Sequence, residues 1–332
     1  MIFLNNEHVL ARPLGRVPGS RGGVVIPEIT GIPYPGETLT SNVPTQWTRN
    51  GVDVGPPNAT TYSVGLVDAS LQIRAGNSDP VFVDYDLDAA LWLLDVQAAG
   101  GNVTQPRINA ADVFYKAEKA PGRYALLQRM YLPIWGVAAA NAISLKVRAI
   151  GSYVGGFTYG AGFTQSTGGT GYFVTGADVA GLGMSAGNAY LAALTIQNPS
   201  IAGGQTLMGT PFVAIRNNTS SSMQARIGGT NTNYPGGIQT GIISMSATAT
   251  NQRLLRVRRQ SGIVSEVINT TATTGGISGD LRAHGREDGQ EVHPGHFGYF
   301  AYGLGMSAAD DSAHTANVKT FWEACTGLTL PS

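Results

Sequence analysis

At 332 residues the chain exceeds the length of one typical domain, and its 42 % hydrophobic content is enough for a sizeable core. Basic and acidic residues balance at 21 each, which removes the counterion-release drive of nucleic-acid binding and excludes nucleic acid as an expected partner. Cys325 is the single cysteine, so an intramolecular disulfide is excluded, and no run of about 18 apolar residues suggests a membrane-spanning helix.

The 45 glycines and 17 prolines, with abundant Thr, Ser and Asn, imply short strands joined by tight turns, and hence a mainly β protein. Residues 1–23 place Arg12, Arg16 and Arg21 among prolines and glycines, a composition with no core of its own. They are expected to form an arm that docks on a partner. The opening MIFLNNEHVLARP has no basic stretch before an apolar run, so neither secretion nor membrane insertion is expected.

From 24 to 83 short alternating runs predict strands, with Asn50-Gly51 as the turn of a hairpin and Trp47 as a core residue. Residues 84–132 change to helical spacing. Leu87, Leu91, Leu94 and Ala98 share one helix face ending at Gly100-Gly101, a second helix is predicted from Pro106 to about Lys119, and a short third from Arg123 to about Tyr131. These helices read as a connector. From 133 onward about ten strand-like runs, beginning with AISLKVRAI and ending with HFGYFAYGL, have the spacing of a β-sandwich or jelly roll. The chain closes with a helix capped by Ser307, whose Val318, Phe321, Trp322 and Cys325 form an apolar face, and which Gly327 stops. Cys325 is expected to be buried and inert.

Two stretches carry a resemblance. Gly36-Glu-Thr-Leu-Thr40, Trp47-Thr-Arg-Asn-Gly51 and Ala59-Thr-Thr-Tyr62 resemble the Ig-like repeat of bacterial surface and phage proteins. The order ALWLLDVQAAGGNV, RINAADVFYKAEKAPGRYALLQRMYLPIWG, a strand-rich body, and FGYFAYGLGMSAADDSAHTANVKTFWEACTGL resembles tailed-bacteriophage particle proteins with a concanavalin A-like, laminin-G-like domain. The fold class that this implies is a small Ig-like β-sandwich (24–83), a helical connector (84–132), and a concanavalin A-like jelly-roll sandwich with a C-terminal helix (133–332). The implied function is that of a structural virion protein, tail-associated, fibre, spike or capsid decoration, assembled in the host cytoplasm with other virion proteins. The alternative is host attachment through cell-surface glycan bound by the sandwich loops, and a glycan hydrolase stands third. A homo-oligomer is expected, since phage appendages are generally symmetric and a chain without disulfides gains from burial between subunits.

Concanavalin A-like folds include glycosidases with an E-x-D-x-x-E strand, which is absent. Its nearest counterpart, Glu287-Asp288-Gly289-Gln290-Glu291, is interrupted by glycine and reads as a solvated loop. No catalytic residue, and no enzyme activity, is expected. His284, His293 and His296 flank that loop and could bind a divalent cation, but without the spacing of a ligand helix the segment reads as a polar loop tip, with no metal and no cofactor expected. Arg253, Arg256, Arg258 and Arg259 read as the exposed side of an edge hairpin, with a basic stripe for acidic polysaccharide as the alternative. Gly168-Gly169-Thr170-Gly171 precedes no helix, so it is not expected to cradle phosphate. For glycan contact the candidates are Asn231, Asn233 and Tyr234 in one loop and Glu291 and His293 in another, because amides and a ring can hold a sugar and loops can vary without disturbing the core.

Overall fold

The computed structural model describes residues 25–167, 170–197, 205–219, 222–234, 240–273, 275–285 and 292–332. Arg12, Arg16 and Arg21 of the expected arm, together with Gly168, Gly169, Glu287, Asp288 and Glu291, lie outside these residues.

The N-terminal region forms β1 (Ile29–Thr30), β2 (Thr38–Arg49), β3 (Val52–Ser63), β4 (Gln72–Ala75) and β5 (Val81–Phe82). Asn50 and Gly51 have φ values of 47° and 83°, as a type I′ turn between β2 and β3 requires. Trp47 is fully buried, donates from Nε1 to the Ala59 carbonyl at 3.1 Å and stacks on Tyr62. All the strands join one antiparallel sheet, in the order β1-β2-β4-β5 with β3 on β2. The two facing sheets expected of an Ig-like module are therefore not shown.

Two helices follow, α1 (Leu87–Ala98) and α2 (Gln105–Lys119). Asp86 caps α1 by accepting from the Asp88 and Ala89 amides. The buried side of α1 is Ala89, Ala90, Trp92, Leu93 and Val96, whereas Leu87 is half exposed. The face chosen from leucine spacing is thus the wrong one, because Trp92 packs on Trp135 and Phe321, a large contact contributed from elsewhere in the chain. The third helix, α3 (Arg123–Leu126), is only one turn. At Leu127 the chain becomes β6 (Leu127–Tyr131), which pairs with a strand about 170 residues on in sequence and so overrides the local helical pattern. AISLKVRAI is not a strand either: α4 (Ala138–Asn141) leads into turns closed by an isolated Ile143–Ile150 bridge.

From there the strands are β7 (Ser152–Val154), β8 (Phe157–Gly160), β9 (Phe163–Ser166), β10 (Tyr172–Asp178), β11 (Ala189–Gln197), β12 (Thr206–Gly209) and β13 (Val213–Thr219). They continue as β14 (Ser222–Ile227), β15 (Thr230–Asn233), β16 (Gly241–Ala249), β17 (Gln252–Arg259), β18 (Gly262–Asn269), β19 (Asp280–Ala283) and β20 (His296–Gly303). A seven-stranded sheet runs β15-β14-β13-β12-β19-β10-β7, and an eight-stranded sheet runs β18-β17-β16-β11-β20-β9-β8 with β6 also on β20. Every strand pair in both is antiparallel. Leu207, Val213, Ile215, Met223 and Ile227 of the first sheet share a core with Leu191, Ile243, Met245, Val257 and Phe300 of the second, so the two face each other as a β-sandwich.

The far side of the eight-stranded sheet is sealed. Tyr190, Leu194, Ile242 and Tyr299 belong to a second core, shared with α1, α2, the N-terminal sheet and α5 (Ala308–Thr326). Ser307 caps α5 by accepting from the Asp310 amide, and Gly327 ends it at φ 70°. Trp322 is fully buried, its indole donating to the Gly162 carbonyl at 2.9 Å. Cys325 is 7 % exposed, and burial pushes its thiol up to about 12. Among the described residues no helix is long and apolar enough to cross a membrane.

Candidate functional site: the open face of the seven-stranded sheet

Strand alternation decides which side chains reach the side of the seven-stranded sheet away from the core. In β14 Met223, Ala225 and Ile227 point into the sandwich, so Gln224 and Arg226 point outward. In β13 Val213 and Ile215 point inward, leaving Ala214 and Arg216 outside. Register then aligns two cross-strand rows. One is Thr206, Arg216, Gln224 and Asn233; the other is Gly209, Ala214, Arg226 and Asn231. Arg282 of β19 pairs with Gly209 and continues the second row.

Three members of the first row, Arg216, Gln224 and Asn233, form a hydrogen-bonded string. Arg216 donates from Nε and Nη2 to Gln224 Oε1 at 3.0 and 2.8 Å, and Gln224 Nε2 donates to Asn233 Oδ1 at 3.0 Å. Asn231 and Asn233 are exposed, and Arg216 and Arg226 are half-buried. Gly209 and Ala214 keep the second row low between its arginines. A Cβ at Gly209, where φ is +123°, would lie 2.1 Å from the Val213 carbonyl oxygen, so the position admits glycine only. Farther along, the Arg282 guanidinium lies over the Tyr172 ring, 4.5 Å from its centroid.

The expected glycan residues divide on this map. Asn231 and Asn233 sit on the open face, on edge strand β15 rather than in a loop. Tyr234 is 2 % exposed and donates to the Ser244 carbonyl at 2.8 Å, bridging the two sheets, so its ring is not available to a sugar. His293 is fully buried beside β19 and β12, with two further strands, β13 and β14, between it and β15, and does not converge with the asparagines. Gln224 and Arg226 were missed, although the alternation in SMQARI already puts both on the side away from the core.

The histidine segment is not a polar loop tip where it is described. His284 and His293 are fully buried, and desolvation lowers each to about 3, so both are neutral at physiological pH. His284 Nδ1 faces the His293 carbonyl at 3.4 Å and so carries the proton, leaving Nε2 to accept from Thr164 Oγ1 at 3.1 Å. His293 Nδ1 accepts from the Gly295 amide at 3.0 Å, which puts its proton on Nε2, where no partner stands. Among the described residues no cluster of three potential metal ligands occurs.

The arginines of β17 are not an exposed edge. β18 is the edge strand, and Arg256 is 7 % exposed between Glu266 and Asp311. Arg258 donates to Ser312 and Thr315 of α5, and Arg259 to Ser332 and Thr240. Arg253 points between the sheets, donating to Asn269 and the Thr271 carbonyl. Arg256, Arg258 and Arg259 thus fasten the C-terminal segment to the sheet, which explains their density without invoking a ligand. Behind them, fully buried Glu118 is held well below its ordinary range, at about 2. Burial acts against this, but hydrogen bonds and charge from His314, with Asn317 and Arg123, outweigh it.

No protein-family model matches the chain, and no curated protein matches it. Among solved structures it is similar to domain 4 of AbnA, a GH43 extracellular arabinanase from Geobacillus stearothermophilus, at 12 % identity and TM-score 0.39 over 57 % of this chain and 98 % of that one. It is similar to Trypanosoma rangeli sialidase in complex with sialic acid at 11 % identity and TM-score 0.44 over 89 % of this chain, and it spans 53 % of the sialidase. A third is the carbohydrate esterase vb_24B_21 from the Shiga toxin-encoding bacteriophage phi24B, at 11 % identity and TM-score 0.32, covering 54 % of this chain and 100 % of that one. At these scores the likenesses carry no residue, substrate or activity across. They do correct one expectation: with an arabinanase, a sialidase and a carbohydrate esterase as neighbours, the exclusion of enzyme activity drawn from the missing carboxylate string is withdrawn.

Proposed function

We propose that this chain binds glycan through the open face of its seven-stranded sheet. The observation that supports it is the asymmetry of the sandwich. One outer face is sealed by helices, while the other carries outward-directed guanidinium and amide groups, exposed Asn231 and Asn233 and half-buried Arg216 and Arg226, with Gln224, 5 % exposed, bridging Arg216 to Asn233. Such groups supply the bidentate donors and acceptors that sugar hydroxyls and substituents pair with, and strand placement fixes their spacing. Contacts of this kind are weak singly and are multiplied when several copies act together.

The order of segments resembling phage particle proteins extends the proposal to a setting: a virion protein, homo-oligomeric and assembled in the host cytoplasm with other virion proteins, that presents this face to host polysaccharide. A glycan array with the purified chain tests the first part, with a reducing-sugar assay of the same samples for turnover. Binding that falls in the Asn231→Ala/Asn233→Ala double variant at unchanged melting temperature supports the face as the site. An array without a hit, or a hit indifferent to that variant, refutes it. Antibody labelling of intact particles tests the setting, and particles without label refute it.

A further inference from the structure

Arginines in this molecule are, for the most part, matched where they are buried. Arg256 stands between Glu266 and Asp311, Arg123 meets Glu118, and Arg49 meets Asp68. Arg258 and Arg253, without acids, spend donors on hydroxyls, an amide and backbone carbonyls, although Nε and Nη1 of Arg253, buried between the sheets, have no acceptor. Arg216 and Arg226 differ in place: they stand half-buried on the outward side of adjacent strands, not between the sheets or beneath α5. Arg216 donates twice to the neutral amide of Gln224, and Arg226 keeps a buried Nε that has no acceptor at all. Among the described residues neither has a carboxylate partner, and the carboxylates of β19 and β10, Asp280 and Asp178, stand three and four strands away from β14.

The register makes these two arginines neighbours. Arg216 is opposite Gln224 and Arg226 lies two residues farther along the same strand, which places them diagonally across adjacent strands at roughly 7–8 Å. Side chains of that length can close on one small anion from two sides. Ala214, opposite Arg226, leaves no bulk between them, and Asn231 and Asn233 supply amides along the outer rim. A half-buried guanidinium without a counter-charge is poorly solvated by the protein itself, so an incoming anionic oxygen gains both hydrogen bonds and charge.

Building on the glycan reading above, we propose that the ligand is an acidic polysaccharide, whose carboxylate or sulfate groups are gripped between Arg216 and Arg226. The neutral amides then hold adjacent hydroxyls, and the grip selects charged sugars over neutral ones.

The test immobilises the full chain and measures binding of polygalacturonate, dextran sulfate and dextran, with salt titration. Binding of at least one acidic polymer, weakening as salt rises, and none of dextran, is the expected result. Arg216→Gln and Arg226→Gln are each expected to lower affinity roughly tenfold, the scale of one lost charge-assisted pair. Arg226→Lys, which keeps the charge without the planar fork, retains part of the binding and serves if the glutamine variant does not fold. Arg74→Gln, in the N-terminal sheet, leaves binding unchanged. Preference for polygalacturonate or for dextran sulfate tells which anion is gripped, and loss of either with Arg226→Gln supports the pair. Dextran bound as well as the acidic polymers, or acidic binding unaltered in both glutamine variants, overturns the arginine grip while leaving glycan binding standing. An absence of binding to all three polymers and to a glycan array overturns both.

Discussion

The two outer faces of the sandwich are built from the same alternating strands yet end in opposite states. On the eight-stranded sheet the outward residues are Tyr190, Ala192, Leu194, Ile242 and Tyr299, and they are covered by α1, α2 and α5. On the seven-stranded sheet the outward residues are Arg216, Gln224, Arg226, Asn231 and Asn233, and α5 has no counterpart there among the described elements. Arginine occurs on both. On the covered face its donors are absorbed by Asp311, Glu266 and the α5 backbone; on the open face those of Arg216 meet the Gln224 amide. An arginine's role therefore follows from what packs above it, not from its strand.

The largest effects are expected on the covered face. Trp322→Ala removes a fully buried indole and its bond to Gly162, and should cost about 3–5 kcal/mol, seen as a large fall in melting temperature. An unchanged melting temperature would show that α5 does not seal the sheet. Next, Arg256→Met leaves Asp311, which is 1 % exposed, without its cation, and a loss of about 3 kcal/mol is expected from the uncompensated buried charge. If Arg256→Met/Asp311→Leu is no more stable than Arg256→Met alone, that explanation fails.

A pH experiment sharpens the contrast. Glu118 has a folded pKa below its unfolded one, so its contribution is fully present above about 4.5 and is lost as pH falls toward about 2. Melting temperatures taken from pH 7 downward should drop in that acid window, and Glu118→Gln, less stable at neutral pH, should show a shallower drop. Parallel pH curves for the two proteins would contradict the assignment. The smallest effects belong to the open face, where Arg226→Gln and Asn231→Ala should each shift stability by no more than about 0.5 kcal/mol while changing binding. A shift several times larger would mean that these residues are structural.

Much of the local structure could be read without the fold. The Asn50-Gly51 turn, the Ser307 cap and Gly327 stop of α5, and the burial of Trp47, Trp322 and Cys325 depend on backbone preferences and short spacings, which a few consecutive residues carry. The alternation in VAIRNN and SMQARI likewise carried the sidedness of Arg216 and Arg226. What it did not carry is which side of a strand is covered. Tyr234 looked like a loop aromatic beside two asparagines, but the opposing sheet puts the Ser244 carbonyl above it. His293 looked like part of a polar tip, but the chain folds it beneath β19 and β12.

Composition and periodicity by themselves determined that this is a mainly β chain with two helices between its strand-rich stretches and a capped C-terminal helix, since each of those features is specified within one element. Tertiary structure alone decided that Arg123–Tyr131 splits into a helical turn and a strand, that the β17 arginines clasp α5, and that one sheet has no covering helix among the described residues. Those outcomes rest on contacts between segments up to about two hundred residues apart, such as Glu118 with His314, and no local pattern encodes which distant surface will arrive.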